Sequence, residues 1–151
     1  MNQRPEATLD DALQPSIRIK EMKTILIYIF AWFGMVVLTI ANGIIRERFY
    51  GQFMPDLSAH QLSTLIAIIL FGVYIFIITG VFQIQSGKQA VTIGGMWLIM
   101  TVIFEFGFGH FVVGHSWTRL SMDYDILHGR VWILVLVWTF IAPYVFYRLR
   151  F

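Results

Sequence analysis

The uncharged run TILIYIFAWFGMVVLTIANGII, residues 24–45, decides the fold class of this chain. A helix rises about 1.5 Å per residue, so this run is long enough to cross a hydrocarbon core of about 30 Å. Its apolar part exceeds the roughly 7–15 residues of a secretory signal, and no small-x-small cleavage site follows it. The run therefore predicts a retained membrane-spanning helix.

Three further apolar runs follow, at residues 62–82, 90–113 and 131–147, and Glu105 is the only charged residue within them. The chain is 58% hydrophobic and 13% charged, which is typical of a membrane protein rather than a soluble domain. The runs lack the two-residue alternation of barrel strands, and lipid offers backbone groups no partners, so each run predicts a helix. We expect an all-α membrane protein in which residues 24–151 form one four-transmembrane-helix bundle.

The distribution of basic residues predicts the orientation of the bundle. Four spans place both termini on one side, and seven of the 11 Lys and Arg residues lie there. The positive-inside rule then favours cytoplasmic termini in a multi-pass protein of the cell inner (plasma) membrane. Residues 1–23 are expected to be a polar cytoplasmic tail, in which Pro5 and Pro15 argue against one continuous helix.

The connection before the fourth span has the pattern of an amphipathic helix. Trp117, Leu120, Tyr124 and Leu127 follow steps of three and four residues, which place them on one helix face. Ser116 suits the N-cap position. We therefore expect a short amphipathic helix from about residue 117 to 127, lying at the outer membrane interface.

Polar residues gather toward the outer face on this topology, while the inner halves of the spans are almost purely apolar. We expect these polar residues to form a polar cup in the outer half of the bundle. Its predicted members are Asn42, Arg46, His60, Glu105, His110, Asp123 and Arg130.

Glu105 is the most informative member of the polar cup. It lies nine residues before Gly114, so roughly 13 Å along the helix from the outer boundary. An acid near the bilayer centre costs on the order of 2.5–3.5 kcal/mol, so it should face the bundle interior and have a partner. Arg46 is the preferred candidate, since Asn42 and Arg46 are four residues apart on one helix face, and Arg130 is the second. The resulting buried Glu–Arg pair either fixes helix register, which is slightly favoured, or contains a carboxylate that titrates or binds a cation.

No cofactor or metal is expected. His110 and His115 are five residues apart, which is about 140° around a helix, whereas the histidines of H-E-x-x-H zinc sites are four residues apart. Asp123, Asp125 or Glu105 would have to complete the ligand set, and with this spacing the set is a poor one. The absence of Cys removes disulfides, thiolate catalysis and thiolate ligands. Nucleic acid is not an expected partner, because no Lys/Arg cluster is interleaved with aromatic residues.

Four stretches carry a resemblance to a known group of proteins: NGIIRERFYG, AHQLSTL, FEFGFGHFVVGHSW and DYDILHGRVW. Together they resemble a family of small four-helix integral membrane proteins from prokaryotes that lacks an assigned function. The likeness covers residue 24 to the C-terminus and leaves the N-terminal tail outside. It implies the four spans and their order, and it implies no reaction, substrate or cofactor.

Three functions are compatible with these features. A non-enzymatic accessory or self-associating membrane protein is favoured, because the sequence has no nucleophile–base pair or phosphate loop, and a small bundle often needs a homo-oligomer or a larger membrane complex around it. The alternatives are a proton-coupled small-molecule transporter that uses Glu105, and an enzyme acting on lipid head groups with Glu105 or a histidine as general base. The lipid bilayer is the one partner common to all three.

Overall fold

The computed structural model describes the backbone of residues 9–150 and the side chains of residues 13–150, and all regular structure in that part of the chain is helical. Four long helices and one short one follow in order: α1 at Leu9–Ile45, α2 at Asp56–Val81, α3 at Gly87–Phe111, α4 at Trp117–Met122 and α5 at Ile133–Arg150. A π-helical turn at Arg46–Tyr50 extends α1, and a 3-10 turn at Ile126–His128 lies between α4 and α5. The helices α1, α2, α3 and α5 are each long and apolar enough to cross a membrane.

Helix α1 begins well before the predicted span and includes Pro15. The expectation that Pro15 interrupts the helix was therefore wrong, whereas Pro5 lies outside the described residues. The ring of proline fixes φ at a helical value, and Pro15 removes only one hydrogen bond, to the Asp11 carbonyl near the start of the helix. The loss of this one hydrogen bond does not end the helix, which continues on both sides of Pro15.

Helix α4 is shorter than predicted. The predicted N-cap is confirmed, because Ser116 Oγ accepts a hydrogen bond from the Arg119 backbone nitrogen at 3.2 Å. The helix nevertheless ends at Met122 rather than near residue 127. The chain turns after Met122, and Gly129 adopts the left-handed region, with φ of 82°, at the end of the 3-10 turn. The Leu127 side chain, expected on the apolar face, is 95% exposed.

The apolar core is built from all four long helices. Tyr28, Ile75, Trp97 and Val135 are fully buried in it. Trp97 Nε1 donates to the Tyr28 carbonyl oxygen at 2.7 Å, which links α3 to α1. This hydrogen bond gives the fully buried indole nitrogen of Trp97 the partner that a buried donor needs.

Helices α3 and α5 approach each other closely at Gly94. A Cβ atom added to Gly94 would lie 2.0 Å from the Phe140 carbonyl oxygen, a distance that no side chain tolerates. Glycine at this position lets the two backbones meet directly. Helices α1 and α3 contact each other through side chains, since Trp32 Nε1 donates to Thr101 Oγ1 at 3.0 Å. Closer to α4, residues of both helices line a cavity.

Candidate functional site

A cavity of about 220 Å³ lies between α1 and α3 at the end of the helices nearer α4. Five predicted members of the polar cup line it, namely Asn42, Arg46, His60, Glu105 and Asp123. The rest of the wall consists mainly of glycine, serine, threonine and aromatic side chains: Thr39, Gly43, Ser63, Phe106, Phe108, Gly109, Leu120, Tyr124 and Trp132. Residues far apart in the sequence therefore share one partly polar space.

Glu105 is held by two uncharged donors rather than by an arginine. The Tyr124 hydroxyl donates to Glu105 Oε2, and Trp132 Nε1 donates to Glu105 Oε1 at 2.7 Å. Each carboxylate oxygen thus accepts one hydrogen bond from the segment that connects α4 to α5. Aromatic O–H and N–H groups seek such partners when buried, which makes the Tyr and Trp residues of the sequence candidate partners without singling out Tyr124 and Trp132.

The predicted ion pair of Glu105 with Arg46 was wrong, as was the second choice of Arg130. Arg46 lies in the π-helical turn, where its Nη2 is 3.6 Å from Oε1 of the adjacent Glu47. Arg130 Nη2 contacts Asp56 Oδ2 at 2.6 Å, and its Nη1 is 3.6 Å from Asp123 Oδ1. Both arginines lie near the polar end of the helices, where they pair with more exposed carboxylates.

Tyr124 remains a proton donor across the ordinary pH range. Burial raises the pKa of its phenol far above the usual value, and the adjacent negative charge of Glu105 raises it further. Its ring also stacks on Phe106 with 5.5 Å between centroids. Packing and hydrogen bonding together fix the position of the hydroxyl against Glu105.

Asn42 carries an unpaired acceptor that is buried beside the cavity. Its side chain is only 3% exposed, and Nδ2 lies 2.9 Å from both the Ser63 carbonyl oxygen and Ser63 Oγ. A carbonyl oxygen can only accept, so this contact fixes which end of the amide is nitrogen. The opposite atom, Oδ1, is buried and has no hydrogen-bond partner among the described residues.

His60 contributes a second unpaired atom. The ring is 3% exposed, and its Nδ1 lies 3.8 Å from Asp123 Oδ1. At 3.8 Å this is an electrostatic contact and not a hydrogen bond. Nε2 is buried and has no hydrogen-bond partner in the part of the chain that the structure describes.

A second, more polar space of about 290 Å³ adjoins the cavity, and we call it the polar chamber. Arg46, His60, Leu120 and Asp123 line both spaces. Arg130, the sixth predicted cup member, lies here rather than in the cavity. The other lining residues are Glu47, Asp56, His115, Arg119 and Met122.

His110 is the predicted cup member that lines neither space. Its Nδ1 lies 2.8 Å from the His115 carbonyl oxygen, and its ring stacks on Trp117 with 4.0 Å between centroids. It therefore fastens the end of α3 to the start of α4. Among residues 13–150, no three His, Asp or Glu side chains converge on a point where they could hold a metal ion.

Comparison with family models, with curated proteins and with solved structures gives no match to this chain. The resemblance stated from the sequence stays a prediction, and the site is interpreted from its own chemistry.

Proposed function

We propose that this chain is a non-enzymatic integral membrane protein that acts as an accessory or self-associating subunit. On this proposal it crosses the inner membrane four times as a bundle, with both termini in the cytoplasm and α4 at the outer interface. The support is the set of four long apolar helices, whose outward faces carry many exposed aliphatic and aromatic side chains. Such faces suit lipid or other membrane helices.

The single observation that carries the non-enzymatic proposal is the bonding of Glu105. Both carboxylate oxygens accept hydrogen bonds from fixed aromatic donors, Tyr124 and Trp132. A carboxylate held in this way links α3 to the segment before α5. It therefore supports an architectural role, in which Glu105 fixes the path of the chain at this end of the helices.

The cavity beside Glu105 favours one competing function, a proton-coupled carrier of a small molecule. A carrier would need the carboxylate to release Tyr124 or Trp132 and take up a proton during each cycle. Substrate flux in proteoliposomes that depends on a proton gradient and disappears in Glu105→Gln would establish this function in place of the proposed one.

Catalysis on lipid head groups is less well supported by the geometry. Ser63, His60 and Asp123 are the residue types of a nucleophile, a base and an orienting acid, and all three line the cavity. His60 Nε2 makes no hydrogen bond to Ser63 Oγ, which instead lies 2.9 Å from Asn42 Nδ2. The Nδ1 of His60 is also 3.8 Å from Asp123 Oδ1, beyond hydrogen-bond distance.

Cysteine labelling tests the proposed topology, because the natural chain contains no Cys. Leu127→Cys places a thiol at a 95% exposed position between α4 and α5, and Gln83→Cys places one in the exposed connection between α2 and α3. In intact cells a membrane-impermeant maleimide should label Leu127→Cys from outside the inner membrane and should label Gln83→Cys only after permeabilisation. Equal labelling of both sites, or the reverse order, contradicts the topology.

Association is tested with the same labelled chain. Chemical cross-linking in native membranes, followed by mass analysis, should give a defined species larger than one chain. A chain that remains a monomer, with no associated protein at any cross-linker concentration, contradicts the accessory or self-associating role.

A further inference from the structure

We propose that the end of the helix bundle opposite α4 binds the phosphate groups of anionic phospholipids. This end, which we call the basic end, carries six basic side chains at the start of α1, the start of α3 and the end of α5: Arg18, Lys20, Lys23, Lys88, Arg148 and Arg150. The inference rests on the proposed function in one respect, that the chain spans a membrane. It adds the class of lipid that this surface selects.

Contacts between helices bring the three basic segments to one end of the bundle. Gln89 Nε2, beside Lys88, donates to the Glu21 carbonyl oxygen of α1 at 3.4 Å. A Cβ atom added to Gly87 would lie 3.4 Å from the Tyr144 ring of α5. The start of α3 therefore contacts both α1 and α5, and the basic side chains surround this end of the bundle.

The basic end has a large excess of positive charge. Among residues 13–30, 76–95 and 140–150, Glu21 is the only acid, against the six basic residues. Arg150 is occupied, because its Nη2 donates to the Phe76 carbonyl oxygen at 2.6 Å and its guanidinium lies 4.5 Å from the Phe76 ring centroid. The other five basic side chains are exposed and form no ion pair with the described part of the chain. Such a surface attracts anions.

The opposite end of the bundle has no such excess of positive charge. Its four arginines lie among five carboxylates, and the residues concerned are Arg46, Arg48, Arg119 and Arg130 with Glu47, Asp56, Glu105, Asp123 and Asp125. Two of these arginines pair with carboxylates, Arg130 with Asp56 at 2.6 Å and Arg46 with Glu47 at 3.6 Å. Selection of anionic lipid is therefore expected at one end only, and the other end provides a control.

The basic side chains lie at the depth of the lipid phosphates. The uncharged run of α1 begins at Thr24, and Arg18 comes six residues earlier, so about 9 Å along the helix. The head-group layer is about 5–8 Å thick on each side of the hydrocarbon core. Lys23 and Lys88 each lie within two residues of an apolar run, at residues 24–45 and 90–113. Their charges therefore lie within the Debye length of about 8 Å at physiological salt from the phosphate layer.

Apolar side chains between the cations favour lipid over a soluble acidic protein. Ile19 and Met22 are 49% and 59% exposed and stand among the basic residues of α1. Long basic side chains place their charge at the head groups while apolar neighbours face the acyl chains. Tyr144, which is 42% exposed near the end of α5, suits the same interfacial layer. This mixture of side chains matches an anionic membrane surface.

The experiment uses the full chain in nanodiscs that contain equal amounts of phosphatidylglycerol and phosphatidylcholine. The chain is released into a mild detergent, and the retained lipids are counted by native mass spectrometry. One Lys or Arg near an anionic surface strengthens the attraction about fivefold, so retained phosphatidylglycerol should exceed phosphatidylcholine about fivefold. After equilibration in 1 M salt, where the Debye length is about 3 Å, the ratio should fall toward one.

Paired substitutions locate the lipid preference on the chain. Lys23→Gln with Lys88→Gln removes two cations that no described residue pairs, and the ratio should fall to about two or less. Arg48→Gln with Arg119→Gln is the matched control, because it removes the same charge from two exposed arginines at the opposite end that form no ion pair with the described residues. This control should keep the ratio of the natural chain, as should Lys23→Arg with Lys88→Arg, which retains the charge.

A ratio near one in the natural chain overturns the inference and assigns the cations to a soluble acidic partner. Equal losses in the Lys23, Lys88 variant and in its arginine control also overturn it, since the total charge of the chain would then be the cause. Both leaflets of the nanodisc have the same composition, so the ratio does not depend on the direction of insertion, which cysteine labelling tests separately. A chain that does not incorporate into nanodiscs contradicts the membrane insertion on which both proposals rest.

Discussion

Replacing Glu105 with glutamine should loosen the connection between α3 and the segment that leads to α5. The amide oxygen of glutamine can accept from Trp132, but the amide nitrogen can only donate, so the Tyr124 hydroxyl would have to accept there and its own proton would lose its acceptor. The hydrogen bond that Tyr124 donates to the charged carboxylate is therefore lost, and one buried O–H donor is left unpaired. The Tyr124→Phe variant removes one donor alone and leaves the ring that stacks on Phe106 in place.

The size of the effect follows from the number of bonds. A hydrogen bond to a charged group contributes about 1.5–3 kcal/mol in water-soluble proteins, whereas hydrogen bonds within membranes average about 0.6 kcal/mol and reach about 1.7. We therefore expect Tyr124→Phe to lower the free energy of unfolding by about 1 kcal/mol, and Glu105→Gln by about 2 kcal/mol because an unpaired donor is added to the loss. The double variant should be less destabilised than the sum of the two, since the shared bond is removed once.

Steric trapping in bicelles measures these free energies at equilibrium. Tyr144→Phe is the control, because Tyr144 is an exposed α5 residue whose hydroxyl makes no hydrogen bond in the described part of the chain. Unchanged stability in Glu105→Gln, or additive effects in the double variant, would refute the reasoning that Glu105 fixes the chain through Tyr124.

Two further perturbations test the helix contacts. Gly94→Ala should lower the free energy of unfolding by about 2–3 kcal/mol, because the new Cβ would lie 2.0 Å from the Phe140 carbonyl oxygen. Gly95→Ala is its control: the nearest atom to the new Cβ is 3.9 Å away, so this variant should be neutral or slightly stabilising in the same unfolding assay. Arg150→Met should cost about 1 kcal/mol, because Arg150 Nη2 donates to an α2 carbonyl oxygen at 2.6 Å and its guanidinium lies 4.5 Å from an aromatic ring centroid. Arg148→Met is its control, and equal losses in the two arginine variants would show that only charge at the helix end matters.

The four long helices could be predicted because their apolar runs are uninterrupted. The ends of the helices were harder to predict. Helix α2 begins at Asp56, directly after Pro55, although residues 56–61 are too polar to extend a hydropathy run. Pro55 and Asp56 are helix-start signals that hydropathy ignores. Helix α1 begins earlier in the chain than the predicted span and includes Pro15, because one missing hydrogen bond near its start does not end the helix.

Five of the residues named from the sequence line the cavity, but their contacts were not predicted. Asn42 and Arg46, which helical spacing places on one face, both line the cavity. The same helical spacing places His110 on a different face of α3 from Glu105, because five residues correspond to a rotation of about 140°. The partners of Glu105 could not be derived, because they depend on the turn after Met122, and a three- and four-residue pattern does not show where a helix stops. Assigning an arginine to a buried acid overlooked the uncharged aromatic donors.

The order in which the chain is synthesised gives the bonding of Glu105 one more consequence. Both donors lie C-terminal to the acid, Tyr124 by 19 residues and Trp132 by 27. On the proposed topology, α3 therefore leaves the ribosome and reaches the translocon while its carboxylate has no partner. The third span would wait at the lateral gate, or beside an insertase, until the start of α5 emerges. A nascent chain arrested before Trp132 should accordingly be extracted from the membrane more readily than one arrested after it.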